Sequence, residues 1–130
     1  MSPAVKKGGI MTRVLIADDN LDCQELIDDI LEINFKDVQI DRALSLKSFQ
    51  TKAGEGIPYD LILFNTSFID DQFSALAFLK ELNNRSSRVV LIGDKNDSTI
   101  FNPAVQEFPL LTKPFSLDDF GEIIKKTCAA

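Results

Sequence analysis

Short apolar runs alternate with amphipathic stretches along this chain, and that alternation constrains the fold more than any single residue. Arg13 to Ala17 is a nearly continuous apolar run with β-branched residues, the pattern of a strand buried on both faces. Asn20 then fits a helix N-cap, with Asp22 and Glu25 in the first turn, where the helix dipole favours anions. Cys23, Leu26, Ile27, Ile30 and Leu31 recur at spacings of three and four, one stripe of a helix. Val38 to Ala43 alternates apolar and polar, as an edge strand does. Leu46, Phe49, Gln50 and Ala53 mark a short second helix, stopped by Gly54 and Gly56. Leu61 to Phe64 is the most apolar run and reads as a central strand. Ala75, Phe78, Leu79 and Leu82 mark a third helix that Asn83-Asn84 should end. Val89 to Ile92 and Pro109 to Thr112 supply two further strands. Ser116 with Asp119 has the spacing of a capping box, and Leu117, Phe120, Ile123 and Ile124 form the last helical stripe. Between Lys95 and Phe108 the pattern weakens. Pro103 pushes Asn102 away from helical angles, so one or two brief turns are expected there, including a short helix from Ala104 to Phe108.

Strands alternating with helices predict an α/β fold, a doubly wound parallel sheet with right-handed crossovers and helices on both faces. Five strands in about 120 residues fit the flavodoxin-like order 2-1-3-4-5, with helix 4 short or irregular. Residues 12–130 are expected to form a single domain with a core of its own. Residues 1–11 read as a disordered leader, with Met11 as a candidate alternative start. No apolar run reaches the roughly 18 residues of a membrane helix, and no apolar core follows Lys6-Lys7 to make a signal peptide. Cys23 and Cys128 form no CxxC pair and read as free thiols, which points to the cytoplasm.

In such sheets, ligand groups gather at the carboxyl ends of the strands. The residues placed there by sequence are Asp18-Asp19, Asn65, Gly93-Asp94 and Lys113. Two carboxylates and an ammonium suit a cation and a phosphate. Where a third carboxylate would complete that site, Asn65 carries an amide, which neither attacks phosphorus nor forms an acyl phosphate. Histidine is absent, which excludes a Ser-His-Asp triad, a Cys-His pair, histidine-ligated metals and a phosphohistidine carrier. The net charge of -6, with no basic cluster beyond Lys125-Lys126, argues against nucleic acid as a partner.

These residues resemble the receiver domain of bacterial two-component response regulators, over about Thr12 to Thr127. Val14-Leu15-Ile16-Ala17-Asp18-Asp19-Asn20 is similar to that family's first strand and acidic pair. Tyr59-Asp60-Leu61-Ile62-Leu63-Phe64 is similar to the third strand leading to its phosphoacceptor, and Leu111-Thr112-Lys113-Pro114-Phe115 to its lysine, cis-proline and following aromatic. The resemblance implies a CheY-like fold in which the acidic pair and an acceptor aspartate bind Mg²⁺, the aspartate takes a phosphoryl group, and a lysine pairs with it. Carried over, Asp18, Asp19 and Lys113 are present and Pro114 is the expected cis-proline. The acceptor position is Asn65. The Thr/Ser position at the end of strand 4 is Gly93, and the switch aromatic position is Leu110. Phe68-Ile69 stand roughly where the family has Met-Pro. With acceptor, hydroxyl and aromatic all missing, the resemblance is to a pseudo-receiver.

Such a domain requires no cofactor. The acidic pair, the Asn65 side-chain carbonyl and the Ser67 backbone carbonyl leave room for weak Mg²⁺ binding, while Lys113 can instead supply positive charge to Asp18 or Asp19. Asp70-Asp71 are poor substitute acceptors, since they fall on the loop toward helix 3. Phe68, Phe73, Phe101 and Phe108 lie in loop-like stretches, where burial under the loop is the expectation for each. The leading functional reading is a phosphorylation-independent module that binds a signalling protein, with no nucleic acid and no membrane as partner. Its expected surface is the face of helix 4, strand 5 and helix 5, which would also serve a weak homodimer. Two alternatives remain open at this point: a conventional phosphoacceptor regulator inactivated by Asp-to-Asn at position 65, whether natural or engineered, and a metal-dependent phosphotransferase or hydrolase.

Overall fold

A computed structural model of the chain describes residues 13–35, 37–56, 58–69, 74–85 and 87–128. The leader, Asp70-Asp71 and Phe73 lie outside the described residues, as does the side chain of Cys128. Five strands form one sheet: β1 (Arg13–Ala17), β2 (Gln39–Ala43), β3 (Leu61–Asn65), β4 (Arg88–Asp94) and β5 (Leu110–Lys113). Their order is β2-β1-β3-β4-β5, the expected flavodoxin-like order. The helices between and after them are α1 (Leu21–Asn34), α2 (Leu46–Ala53), α3 (Ser74–Arg85), α4 (Pro103–Gln106) and α5 (Leu117–Cys128). The chain divides into two compact units, Met1–Ile62 and Leu63–Ala130, taken in turn below.

In the first unit, β1 and β2 pair in parallel from Arg13↔Gln39 to Ala17↔Ala43. Val14 to Ala17 are fully buried, as their unbroken apolarity requires, while β2 is largely accessible and carries its polar residues at the sheet edge. Asn20 caps α1 through a bond from the Cys23 N–H to Oδ1 at 2.9 Å. Ile27, Ile30 and Leu31 then face the core. Leu26, placed on that stripe by its spacing, is instead 44% exposed. The inward position of that turn belongs to Gln24, which is fully buried. Its Nε2 donates to the carbonyl oxygens of Ile16 (3.2 Å), Asp18 (2.9 Å) and Ala43 (3.4 Å), so a polar side chain clamps β1 to β2. In α2, Phe49 and Ala53 are buried and Gln50 is exposed, so the stripe there is narrower than the spacing suggests. Gly56, at φ +80°, takes the left-handed angle that follows the end of α2.

Arg13, Asp41 and Tyr59 form a polar cluster across this unit. The Arg13 guanidinium donates to Asp41 Oδ2 at 3.0 and 3.1 Å, and the Tyr59 hydroxyl donates to the same oxygen at 2.7 Å. The Arg13 cation also lies 5.9 Å from the Tyr59 ring centre.

In the second unit, β4 and β5 pair in parallel from Leu91↔Leu110 to Asp94↔Lys113. Val90, Leu91 and Ile92 are fully buried, with Leu79, Val105, Phe120 and Ile124 packed from the helices. α3 runs to Arg85, past the Asn83-Asn84 pair expected to stop it. Before α4 comes a separate 3-10 turn, Ser98–Phe101, so the weak stretch holds two brief helices. Asn102, at φ -70° and ψ 131°, breaks between them, and its Oδ1 caps α4 by accepting the Ala104 N–H at 2.9 Å. That extended geometry is what Pro103 imposes on its predecessor. The capping box of α5 forms in both directions: Asp119 N–H to Ser116 Oγ at 3.0 Å, and Ser116 N–H to Asp119 Oδ2 at 3.1 Å. Leu117, expected on the buried stripe, is 64% exposed. It is the first residue of α5, and Phe115 covers this end of the core instead, stacked 5.9 Å from Phe120.

The loop phenylalanines divide. Phe108 is buried at 8% exposure, and Phe68 is half-buried, edge-on to Phe64 at 5.7 Å. Phe101 departs from the expectation of burial at 68% exposed, because the 3-10 turn directs its neighbour Ile100 inward.

Candidate functional site

Asp18 follows β1 directly and is fully buried, while Asp19 is exposed. The Asp18 carboxylate is built into the turn that starts α1: Oδ1 accepts the Asn20 N–H at 2.9 Å. Its backbone N–H donates to Ala43 O at 3.0 Å, and its carbonyl accepts from Gln24. A carboxylate just ahead of a helix N-terminus is electrostatically favoured there. The acidic pair is therefore one carboxyl group fixed by the fold and one held toward solvent.

Asn65 ends β3 and is 7% exposed. Its Oδ1 accepts the Ser67 N–H at 2.8 Å and so caps the 3-10 turn Thr66–Phe68. The amide oxygen expected to be a neutral cation ligand is thus engaged by backbone. Gly93 and Asp94 end β4 and Lys113 ends β5. Gly93 is the register partner of Thr112, and Asp94 of Lys113. Lys113 is half-buried, and the Lys113–Pro114 peptide is cis. Leu110 lies opposite Leu91 at the other end of β5.

A residue that sequence reasoning passed over occupies this end of the sheet. Thr66, 1% exposed, donates its hydroxyl to Asp97 Oδ2 at 2.9 Å. Asp97 Oδ1 in turn accepts the Thr99 N–H at 2.9 Å. Burial alone would push the Asp97 carboxyl up, but the bonds from Thr99 and Thr66 outweigh it and hold Asp97 below the ordinary carboxylate range. Beside this network, a Cβ built on Gly93 would lie 2.8 Å from Thr66 Oγ1. The only sequence signal was a threonine next to Asn65.

Comparison with protein-family models finds no match, and comparison with curated proteins finds none. Comparison with solved structures does. The N-terminal domain of a response regulator/sensory box/GGDEF 3-domain protein from Carboxydothermus hydrogenoformans is similar at a TM-score of 0.71 and 16% identity, over 91% of this chain and 94% of that one. A response regulator receiver domain protein from Clostridium thermocellum gives 0.67 and 18%, over 92% and 95%. The beryllofluoride-activated NtrC4 receiver domain, solved as a dimer, gives 0.69 and 25%, over 92% and 98%. The fold is that of a response-regulator receiver domain.

On a receiver fold, the residues at the strand ends define what chemistry the chain can offer. Position 65 presents an amide, and position 93 no side chain. Among the described residues, no three His, Cys, Asp or Glu side chains stand together as a metal site. The donors present fit a divalent cation poorly, since such ions favour several anionic oxygens. Among the described residues, no helix is long and apolar enough to cross a membrane.

Proposed function

We propose that this protein is a receiver-like signalling module of the two-component type that works without being phosphorylated, by presenting a fixed surface to a protein partner. The observation that carries this reading is Asn65, a buried amide whose oxygen caps a backbone turn where a receiver would place its nucleophile. Loss of the hydroxyl position at Gly93 supports the same reading.

The surface proposed for the partner includes the segment Lys95 to Phe108, together with β5 and α5. Phe101 offers an exposed apolar anchor there. Between β5 and α5 a shallow groove of about 390 Å³ is lined by Leu110, Thr112, Glu122, Ile123 and Lys126, among others. Its lining mixes Leu110 and Ile123 with Thr112, Glu122 and Lys126, a combination of apolar and charged groups suited to a protein contact. The same face would carry a weak homodimer. No cofactor is needed, although weak Mg²⁺ binding at the acidic pair is compatible with the reading.

Two experiments test it. Incubation with acetyl phosphate and Mg²⁺ should leave the intact mass unchanged, and a stable phosphoryl adduct would overturn the reading. Scrambling Lys95 to Phe108 should abolish capture of a partner in a pull-down. A partner retained by the scrambled protein would move the surface elsewhere.

A further inference from the structure

Gly93 closes β4 in a space with no room for a side chain. A Cβ at this position would sit 2.8 Å from Ile100 Cγ2, 2.8 Å from Thr66 Oγ1 and 3.3 Å from Thr66 Cγ2. Both neighbours are β-branched and buried, at 7% and 1% exposure, so neither turns away cheaply about χ1. The Thr66 side chain is also bonded in place. Its hydroxyl donates to Asp97 Oδ2 at 2.9 Å, Asp97 Oδ1 accepts the Thr99 N–H at 2.9 Å, and Asp97 O accepts the Ile100 N–H at 3.1 Å. One connected path therefore runs from the end of β3 through a hydroxyl and a carboxylate into the 3-10 turn Ser98–Phe101.

We infer that Thr66 is a latch: its methyl and hydroxyl fill the volume above Gly93, and through Asp97 it fixes the following turn with Ile100 inward and Phe101 outward. Thr66 acts as a positioning residue. It holds Asp97, Asp97 holds the first amides of the turn, and the turn sets which of two adjacent apolar side chains faces solvent. Positions 66 and 93 draw on one volume, so cutting down 66 removes part of the crowding that a side chain at 93 meets, while the Ile100 methyl remains. The inference goes beyond the proposed function, since it holds whether or not the domain accepts phosphate.

Variants of the full chain separate bond from volume. Thr66→Val keeps the shape and removes the hydroxyl. Amide hydrogen exchange at Thr99 and Ile100 should then quicken about five-fold, the effect of losing one net hydrogen bond. The amides of Leu91 and Ile92 should stay as protected as in the native chain. Thr66→Ser keeps the hydroxyl and should retain native protection at Thr99 and Ile100. Gly93→Ala should lower the Tm by several degrees through overpacking, and in the Thr66→Ala background the same change should lower it less, with the Ile100 contact left. Unchanged exchange at Thr99 and Ile100 in Thr66→Val would overturn the latch. So would an equal Tm loss from Gly93→Ala in both backgrounds. If Thr66→Val does not fold, exchange at Thr99 and Ile100 in Thr66→Ala compared with Thr66→Ser isolates the same hydroxyl, with the same outcomes.

Discussion

Several polar side chains in this protein hold backbone in place, and their value shows in what fails when they are trimmed. Gln24 is the clearest instance: a fully buried amide that donates to three carbonyl oxygens of β1, its following turn and β2. Gln24→Leu should lower unfolding free energy by about 1–3 kcal/mol in urea titration, because those oxygens lose a buried donor. Tyr59→Phe tests the Arg13–Asp41–Tyr59 cluster. Burial would raise the Asp41 carboxyl, but the bonds from Tyr59 and Arg13 outweigh it and hold Asp41 below its usual range. That contribution is complete above the unfolded carboxylate value of about 4 and is lost as pH falls through the lower folded value. Burial and the adjacent Asp41 carboxylate push the Tyr59 hydroxyl far above its ordinary value. Its contribution is complete below about pH 10 and is lost as pH rises through the folded value. Tyr59→Phe should therefore cost about 1–2 kcal/mol between pH 5 and 9, with the difference from the native chain shrinking at both extremes of a pH-stability series.

At the scale of elements, the α/β alternation was legible because burial writes different periods into strands and helices. β1 and β3 are unbroken apolar runs since they are covered on both faces, and Phe49, Phe120 and Ile124 recur at helical spacing. The two apolar residues placed wrongly on helical stripes failed for local reasons. Leu117 is the first residue of α5, where Phe115 already covers the core, and Leu26 yields its turn to Gln24, which spacing by hydrophobicity passes over. The capping box at Ser116 and Asp119 was legible because a cap is read within four residues. Ser116→Ala should destabilise the fold by about 1 kcal/mol in denaturant titration and speed amide exchange in the first turn of α5 while leaving β1 unaffected. The Thr66–Gly93 contact was not legible. The two residues are far apart in sequence, and only the strand order brings the end of β3 beside the end of β4.

For the molecule as a whole, the sheet order is that of a receiver fold, while the loss of phosphoryl chemistry is the proposal that the strand-end residues support. That Asn65 offers no nucleophile was legible from sequence alone, because a side-chain amide does not attack phosphorus. What the sequence did not disclose is that its oxygen is consumed as a cap, or that Thr66 fills the adjoining space. Thermal melts with Mg²⁺ test the charge deficit. Millimolar Mg²⁺ should raise the Tm of Asn65→Asp more than that of the native chain, since a cation gains one more anionic ligand and stabilises by mass action. Equal shifts in the two proteins would show that position 65 plays no part in cation binding.

The shared volume of Thr66 and Gly93 also sets an order on mutational history. A substitution that gives position 93 a side chain first passes through a crowded, weakened protein unless position 66 has already become smaller. Taken one step at a time, the favourable route runs through 66 and only then to 93. The glycine thus behaves as a ratchet, held in place by neighbours in two 3-10 turns rather than by any demand on its own backbone.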